Sequence, residues 1–225
     1  MNKKIGIIGA SLGENSFGVG KSYLSMIAHF GDPVIIMPND ELINVDLLVL
    51  PGGADINPLV YGETPGFHTS NSDVHKQHFY DKKLKMYVDN KTPIFGICLG
   101  MQMINTFFGG KLVQHIGSHP QSSSRGEKAH KVMPCDSAGR VIKGEKFEVN
   151  SHHHQAVTLD TLSEELIPLY LAGDTEKDRA IGIIEALRHK SLPIVGVQWH
   201  YEEWFDQFAT EIIYGLLESK DSVLA

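Results

Sequence analysis

Cysteine is scarce in this sequence, and basic residues show no excess. Among 225 residues there are two cysteines, Cys98 and Cys135, with no paired motif, so neither a disulfide scaffold nor a cysteine-based zinc site is expected. The formal net charge is −7, which argues against a nucleic-acid polymer as partner.

Long apolar runs and low-complexity linkers are also lacking. No run approaches the roughly 18–20 residues of a membrane span, and the N-terminal segment turns polar too early for a signal peptide. Hydrophobic residues make up 42% and charged residues 21%, an ordinary globular balance. We therefore expect one domain over residues 1–225, a cytoplasmic location and no membrane partner.

Short apolar runs bounded by glycine or proline alternate with helix-like stretches. Runs of this kind are typical of strands buried on both faces, and they occupy residues 4–8, 34–37, 47–50, 93–97 and 193–199. Helices are predicted over residues 20–30, 73–90, 99–108 and 202–219. The alternation predicts an α/β fold with a doubly wound, mostly parallel sheet flanked by helices. Residues 146–149, 169–172 and 181–186 predict a small antiparallel addition.

Cys98 stands between a predicted strand and a predicted helix, with Gly96 and Gly100 two residues to either side. This arrangement is typical of a nucleophile elbow, in which small neighbours allow close backbone approach. The helix N-terminus favours a thiolate, and the N–H of Leu99 could bind an oxyanion. A buried structural cysteine is the alternative.

His200 closes the last predicted strand, and Glu202 follows two residues later. In extended backbone both side chains leave the same face, so the carboxylate can hold one imidazole nitrogen while the other faces a thiol. Together with Cys98, these residues form a set suited to attack on a carbonyl. Glu203 is the alternative carboxylate, or merely a charge at a helix N-terminus.

Two other motifs are weaker indications of a ligand-binding site. The segment G-V-G-K-S at residues 18–22 resembles a phosphate loop, but Asn15 replaces the first glycine of the full pattern. The three consecutive histidines, residues 152–154, would point to alternating faces of a strand and could not all chelate one ion. We expect no metal and no other cofactor.

Five segments in chain order carry a further pattern. They are the region around Tyr23 and residues 31–38, P-G-G-A-D-I-N-P-L-V-Y-G-E at 51–63, G-I-C-L-G-M-Q at 96–102, V-N-S-H-H-H-Q at 149–155 and G-V-Q-W-H-Y-E at 196–202. Together they resemble the γ-glutamyl hydrolase branch (peptidase C26 type) of the class I glutamine amidotransferases.

The resemblance implies a reaction and a role for each matching residue. Cys98 would be the nucleophile, His200 the base and then the acid, and Glu202 the residue that orients His200. The implied backbone oxyanion donors are Gly53 and Leu99. The implied substrate contacts are Gln102, Asn150, Ser151 and His152.

The implied activity is hydrolysis of a small γ-glutamyl amide to glutamate and an amine through a thioester, without a cofactor. A glutaminase subunit that supplies ammonia to a separate synthetase is the alternative, and a non-catalytic binding protein of the same fold is a third. A homodimer also remains open.

Two departures from the family pattern concern rigidity and specificity. Tyr201 replaces the usual proline, which predicts a less rigid loop. Lys76 and Gln77 stand where the branch often carries Arg-Asp, which predicts a different leaving group.

Overall fold

The computed structural model describes residues 2–13, 16–37, 40–70, 72–173 and 175–218, and the elements below belong to these ranges. The strands are β1 (Lys4–Ile8), β2 (Ala10–Gly13), β3 (Ser16–Gly18), β4 (Asp32–Ile36), β5 (Leu47–Leu50), β6 (Ile94–Ile97), β7 (His130–Pro134), β8 (Phe147–Val149), β9 (Leu166–Ala172), β10 (Ile184–His189) and β11 (Ile194–Val197). The helices are α1 (Lys21–Phe30), α2 (Val74–Lys82), α3 (Leu84–Asp89), α4 (Leu99–Phe107), α5 (Glu176–Ile181) and α6 (Gln207–Glu218). Within the described ranges, no helix has both the length and the apolar character needed to span a membrane.

Nine of these strands form one mixed sheet in the order β4-β1-β5-β6-β11-β10-β9-β7-β8. The first five strands pair in parallel. From β11 onward every pairing is antiparallel. The predicted α/β fold class is confirmed, and the antiparallel strands extend the same sheet. A separate two-stranded hairpin, β2–β3, had no sequence prediction.

The two faces of the sheet carry separate hydrophobic cores. In β5, Leu48 and Leu50 contribute to one core while Leu47 and Val49 contribute to the other. Helices α2, α3 and α4 pack on the first face, and α1 and α6 pack on the second. Burial on both faces explains why β5, β6 and β11 are fully buried apolar runs.

Several predicted element bounds were wrong. Strand β4 begins at Asp32 rather than residue 34, β9 begins at Leu166 rather than residue 169, and β11 ends at Val197 rather than residue 199. The helix predicted over residues 73–90 is divided at Lys83 into α2 and α3. The last helix begins at Gln207 rather than residue 202, because the Asp206 carboxylate accepts a hydrogen bond from the Ala209 N–H at 2.8 Å. Its predicted end, residue 219, lies outside the described ranges, as does position 15 of the glycine-rich segment. Ile181 ends α5 instead of opening a strand, because Gly182 adopts a left-handed conformation there.

Helix α4 lies so close to β5 that Gly100 has no room for a side chain. A Cβ at this position would overlap the Leu50 carbonyl oxygen and lie 2.7 Å from its carbon. We therefore expect Gly100→Ala to lower the free energy of unfolding by about 3 kcal/mol or more, measured by urea denaturation.

The matched control for this change is Gly215→Ala in α6. A Cβ there would meet no atom within 4 Å, so alanine should stabilise the helix by about 0.5–1 kcal/mol. Equal effects of the two substitutions would contradict the close approach of α4 to β5.

Candidate active site

Three neighbouring strands of the sheet end at one edge and carry the predicted catalytic residues. Strand β6 lies between β5 and β11, with Ile97 in register with Val197. The residues that follow these strands are Gly52 and Gly53 after β5, Cys98 after β6 and His200 after β11. In open parallel sheets ligands bind beyond the carboxyl ends of the strands, so this edge is the candidate site.

Cys98 occupies a strained turn between β6 and α4. Its backbone has φ 52° and ψ −105°, a conformation that L-residues rarely adopt. The Cys98 N–H donates to the Val197 carbonyl at 2.8 Å, which attaches the turn to β11. The side chain is 5% exposed at the N-terminus of α4. This geometry is that of a nucleophile elbow, with the sulfur held against a helix N-terminus.

Contacts of both the side chain and the backbone fix the orientation of His200. Its Nδ1 lies 2.7 Å from Oε1 of Glu202, and both residues are 5% exposed. The Asn150 amide holds the backbone, since its Oδ1 accepts from the His200 N–H at 2.7 Å and its Nδ2 donates to the His200 carbonyl at 3.0 Å. The Nδ1 contact leaves Nε2 available for a reacting group.

Cys98 and Glu202 raise the pKa of His200 from 6.5 to about 10. Burial lowers it, but the negative charge and hydrogen bonding of Cys98, followed by those of Glu202, outweigh burial. At neutral pH His200 therefore carries a proton on both ring nitrogens. Because the folded-state pKa is raised, its stabilising contribution is complete below pH 6.5 and is lost as the pH rises through about 10.

Tyr23 and Lys76 hold the loop after β5. The Gly52 N–H donates to Oη of Tyr23 at 2.9 Å, and the buried Lys76 ammonium donates to the Gly52 carbonyl. A Cβ on Gly52 would lie 2.8 Å from that hydroxyl and 2.9 Å from Cε1 of His200, so any side chain here would displace Tyr23 or His200. Burial, followed by the Glu202 carboxylate, raises the pKa of Tyr23 well above its ordinary value.

Lys76 holds the peptide plane that carries the Gly53 N–H, one of the two predicted oxyanion donors. The Gly52 carbonyl and the Gly53 N–H belong to one planar trans peptide, so holding the carbonyl also sets the direction of the N–H. Burial lowers the pKa of Lys76, while Asp73, Cys98 and Glu202 act in the opposite direction. The lysine is therefore close enough to Cys98 and Glu202 for their charges to affect its pKa.

We expect Lys76→Met to reduce kcat by about tenfold to a hundredfold with a smaller change in KM, because the freed Gly53 N–H would stabilise the transition state less well. Steady-state kinetics measure this split. Lys76→Arg should restore part of kcat, and Lys85→Met, at a lysine whose side chain is 72% exposed, is the control. A rise in KM alone would mean instead that Lys76 binds substrate directly.

The predicted substrate-contacting residues lie around the same edge, but most have protein partners. Gln102 is 4% exposed, and its Nε2 donates to the Gln155 carbonyl at 3.3 Å and to Oε1 of Gln198 at 3.1 Å. Ser151 is fully buried, and its N–H donates to Oγ of Ser122 at 2.9 Å. The His152 ring lies 5.8 Å from the His200 ring, centroid to centroid.

Tyr201, in the position of the expected proline, is fully buried. Its Oη lies 2.7 Å from Oγ1 of Thr210, and its ring stacks on Phe205 at 5.2 Å. These contacts restrain the loop around Tyr201. The sequence prediction of a less rigid loop considered only the missing proline and did not include them.

Sequence reasoning missed the contacts that Tyr23 and Lys76 make in this site. Both side chains belong to helices, α1 and α2, which pack on opposite faces of the sheet. In the sequence, Tyr23 stood out only as part of the family resemblance, and Lys76 only as a departure from the family pattern. No local sequence pattern indicates that side chains from these two helices contact the same loop.

The chain is similar to known proteins over most of its length. The family model of peptidase C26 matches residues 11–202. The glutamine amidotransferase-like protein YvdE of Lactococcus lactis is 31% identical over 85% of this chain and 86% of its own length. The γ-glutamyl-CDP-amidate hydrolase of Campylobacter jejuni is 30% identical over 70% of this chain and 62% of its own length.

A crystal structure of a glutamine amidotransferase from Thermotoga maritima has the same fold. It superposes with a TM-score of 0.57 at 16% identity, over 96% of this chain and 89% of that one. The fold, the family match over most of the chain and the sequence relatives lead to one assignment. The chain belongs to the peptidase C26 family and is a glutamine-amidotransferase-like hydrolase of C–N amide bonds.

Proposed function

We propose that this protein is a cysteine-dependent hydrolase that cleaves a small γ-glutamyl amide to glutamate and an amine. The observation that carries the proposal is the strained turn that holds Cys98 beside a buried His200, whose Nδ1 contacts Glu202 at 2.7 Å. A thiol, an imidazole and an orienting carboxylate in this relation suit nucleophilic attack on a carbonyl.

The reaction would proceed in two halves. The Cys98 sulfur attacks the γ-carbonyl carbon, and the backbone N–H groups of Gly53 and Leu99 receive the developing oxyanion. His200 donates its proton to the leaving nitrogen as the C–N bond breaks, which leaves a γ-glutamyl thioester. The neutral His200 then takes a proton from water, the hydroxide attacks the thioester, and glutamate leaves with the thiolate restored.

The amino-acid head of the substrate would lie near Asn150, Ser151 and His152, with Gln102 behind them. Support comes from their position, since Asn150 hydrogen-bonds His200 and the His152 ring lies near the His200 ring. Because Gln102 already donates to two protein oxygens, we infer that it supports the Gln155 backbone and leaves most direct substrate contacts to the neighbouring segment.

We infer that the leaving amine lies outside the cavity beside Leu99, because that cavity of about 10 Å³ has room for about one water molecule. The Campylobacter relative is named for a nucleotide amide, so such an amide belongs in any substrate test.

The test is glutamate release from a panel of γ-glutamyl compounds. The panel contains glutamine, γ-glutamyl-γ-aminobutyrate, other γ-glutamyl amines and a γ-glutamyl nucleotide amide, with Cys98→Ala protein as the blank. Fast release from one conjugate, with glutamine a poor substrate, is the expected result, and it identifies the amine. No release from any member, with or without added cell extract, would contradict the proposal and favour a binding protein.

The alternative, a glutaminase that supplies ammonia to a separate synthetase, shares the same catalytic half-reaction. It predicts release from glutamine alone, rising when a partner from cell extract is added. The panel therefore separates the two functions by the identity of the substrate and by the response to extract.

A further inference from the structure

Four buried side chains outside the active site lie close enough together to hold one metal ion. They are His119, His130, His153 and Glu185, and one ligand atom of each lies within 4.8 Å of the others. Their exposed fractions are 5%, 2%, 5% and 0%. Three imidazoles and a carboxylate are ligands that Zn²⁺ accepts in tetrahedral sites.

The histidines converge on one oxygen. The Nε2 atoms of His119, His130 and His153 lie 3.7, 3.6 and 3.8 Å from Oε1 of Glu185. Two ligands on a zinc tetrahedron with bonds of about 2.0 Å are separated by about 3.3 Å. The histidine–glutamate separations are therefore a few tenths of an ångström wider than in a formed site. The ligand atoms of the cluster are up to 4.8 Å apart, so side-chain movements of up to about 1.5 Å would close it.

Two of the three histidines use their other nitrogen in the way that metal ligands do. Nδ1 of His153 lies 2.9 Å from the Gln155 carbonyl oxygen, and Nδ1 of His130 lies 3.3 Å from that of Lys131. Contacts of this kind place the proton on Nδ1 and leave the lone pair of Nε2 for a metal. Nδ1 of His119 lies 3.2 Å from Oδ1 of Asp178 but makes no hydrogen bond with it.

The converging atoms have no hydrogen-bond partner among the described residues. This holds for Nε2 of all three histidines and for both carboxylate oxygens of Glu185. A buried carboxylate without hydrogen bonds is costly, as are three buried imidazole nitrogens without partners. A divalent cation at the centre would satisfy four of these five atoms at once.

We propose that His119, His130, His153 and Glu185 bind one Zn²⁺ ion in a closed structural site. Four protein ligands leave no open position for a substrate or an activated water, which distinguishes this site from a catalytic one. The proposal differs from the sequence expectation of no metal, because the ligands come from four separate segments. Of the three consecutive histidines only His153 takes part, while Nε2 of His154 contacts Asp55 at 3.0 Å.

The ion would fasten the segment that supports the catalytic histidine. His153 follows Asn150 by three residues, and the Asn150 amide holds the His200 backbone. On the other side, the Glu185 carbonyl accepts from the Gln198 N–H at 2.8 Å, just before His200. One ion would thus link β7, β10 and the loop after β8, and its loss should loosen this part of the chain.

The test is the metal content of untagged protein produced in zinc-supplemented medium, measured by inductively coupled plasma mass spectrometry. We expect about one zinc per chain in the wild type, and less than about 0.2 in Glu185→Gln and His130→Ala. The matched controls are Glu165→Gln, at a carboxylate that is 61% exposed, and His115→Ala, which disrupts an exposed contact with His154. Both controls should keep the ion.

Cobalt substitution tests the wild type without relying on variants that could fail to fold. Co²⁺ added to chelator-treated wild-type protein should produce the intense visible absorption of a tetrahedral nitrogen–oxygen site, and Zn²⁺ should remove it. Zinc below about 0.1 per chain together with no such absorption would overturn the proposal. So would zinc that is lost in His115→Ala but kept in Glu185→Gln, since the ion would then be adventitious at the surface. These readouts need no substrate, so failure of the proposed hydrolase activity would leave the metal result intact.

Discussion

Replacing Cys98 with alanine is expected to lower kcat by about 10³-fold or more on the best substrate of the γ-glutamyl panel. The sulfur is the only nucleophile that the protein itself supplies in the proposed mechanism, so its removal abolishes the thioester step. The fold should survive, because the Cys98 contact with Val197 is made by the backbone N–H and remains in the variant. Steady-state kinetics and a thermal melt of the same preparation measure both expectations.

The matched control is the second cysteine of the chain. Cys135 is a free, buried thiol, and burial, followed by the Asp136 charge, raises its pKa to about 11. It is therefore a poor nucleophile at neutral pH, and Cys135→Ser should retain activity within about twofold of the wild type. Wild-type activity in Cys98→Ala would refute the nucleophile assignment whatever the control shows.

Removal of the His200 imidazole is expected to have an effect of the same order, about 10³-fold or more in kcat. Without it neither the leaving amine nor the attacking water exchanges a proton with the enzyme. Glu202→Gln should lower kcat by a factor that is roughly a tenth as large, or smaller. The reason is that Glu202 orients the ring through its 2.7 Å contact with Nδ1 and does not itself transfer the proton. Kinetic comparison of the two variants with the wild type measures this order.

Glu203→Gln serves as the control for the choice of carboxylate. Oε1 of Glu203 lies 3.9 Å from Nη1 of Arg125 at the surface, and the side chain is 23% exposed. Activity within about twofold of the wild type is expected. A larger loss in Glu203→Gln than in Glu202→Gln would show that the neighbouring carboxylate orients the histidine.

The parallel half of the sheet was predictable because its strands carry the least ambiguous pattern. Strands β1, β5, β6 and β11 are buried on both faces, so each is an unbroken apolar run closed by a residue that turns the chain. The antiparallel half of the sheet has a weaker sequence pattern. Strand β7, His130–Pro134, includes an exposed lysine and was not predicted, because its pairing with β9 and burial of its histidine depend on distant segments.

The candidate site likewise contains residues that the sequence could predict and residues that it could not. Cys98, His200 and Glu202 could be selected because each follows a recognisable strand, and parallel strands bring their carboxyl ends to one edge. The contacts of Tyr23 and Lys76 depend on how α1 and α2 pack against the sheet, which no short window of residues encodes. The cluster around Glu185 is harder still, because its histidines come from one strand and two connections that meet only in the folded chain.

The position of β11 has a consequence for biosynthesis. It is the last strand of the described chain, yet it lies in the middle of the sheet and alone joins the parallel strand β6 to the antiparallel strand β10. A nascent chain that has not yet released these residues from the ribosome has two half-sheets, each with an open apolar edge exposed to aggregation. Pairing with β6 also closes a loop of nearly a hundred residues, which slows folding. Until β11 inserts, the two half-sheets stay exposed to association with other chains, and the residues that follow β6 and β11 are not brought together.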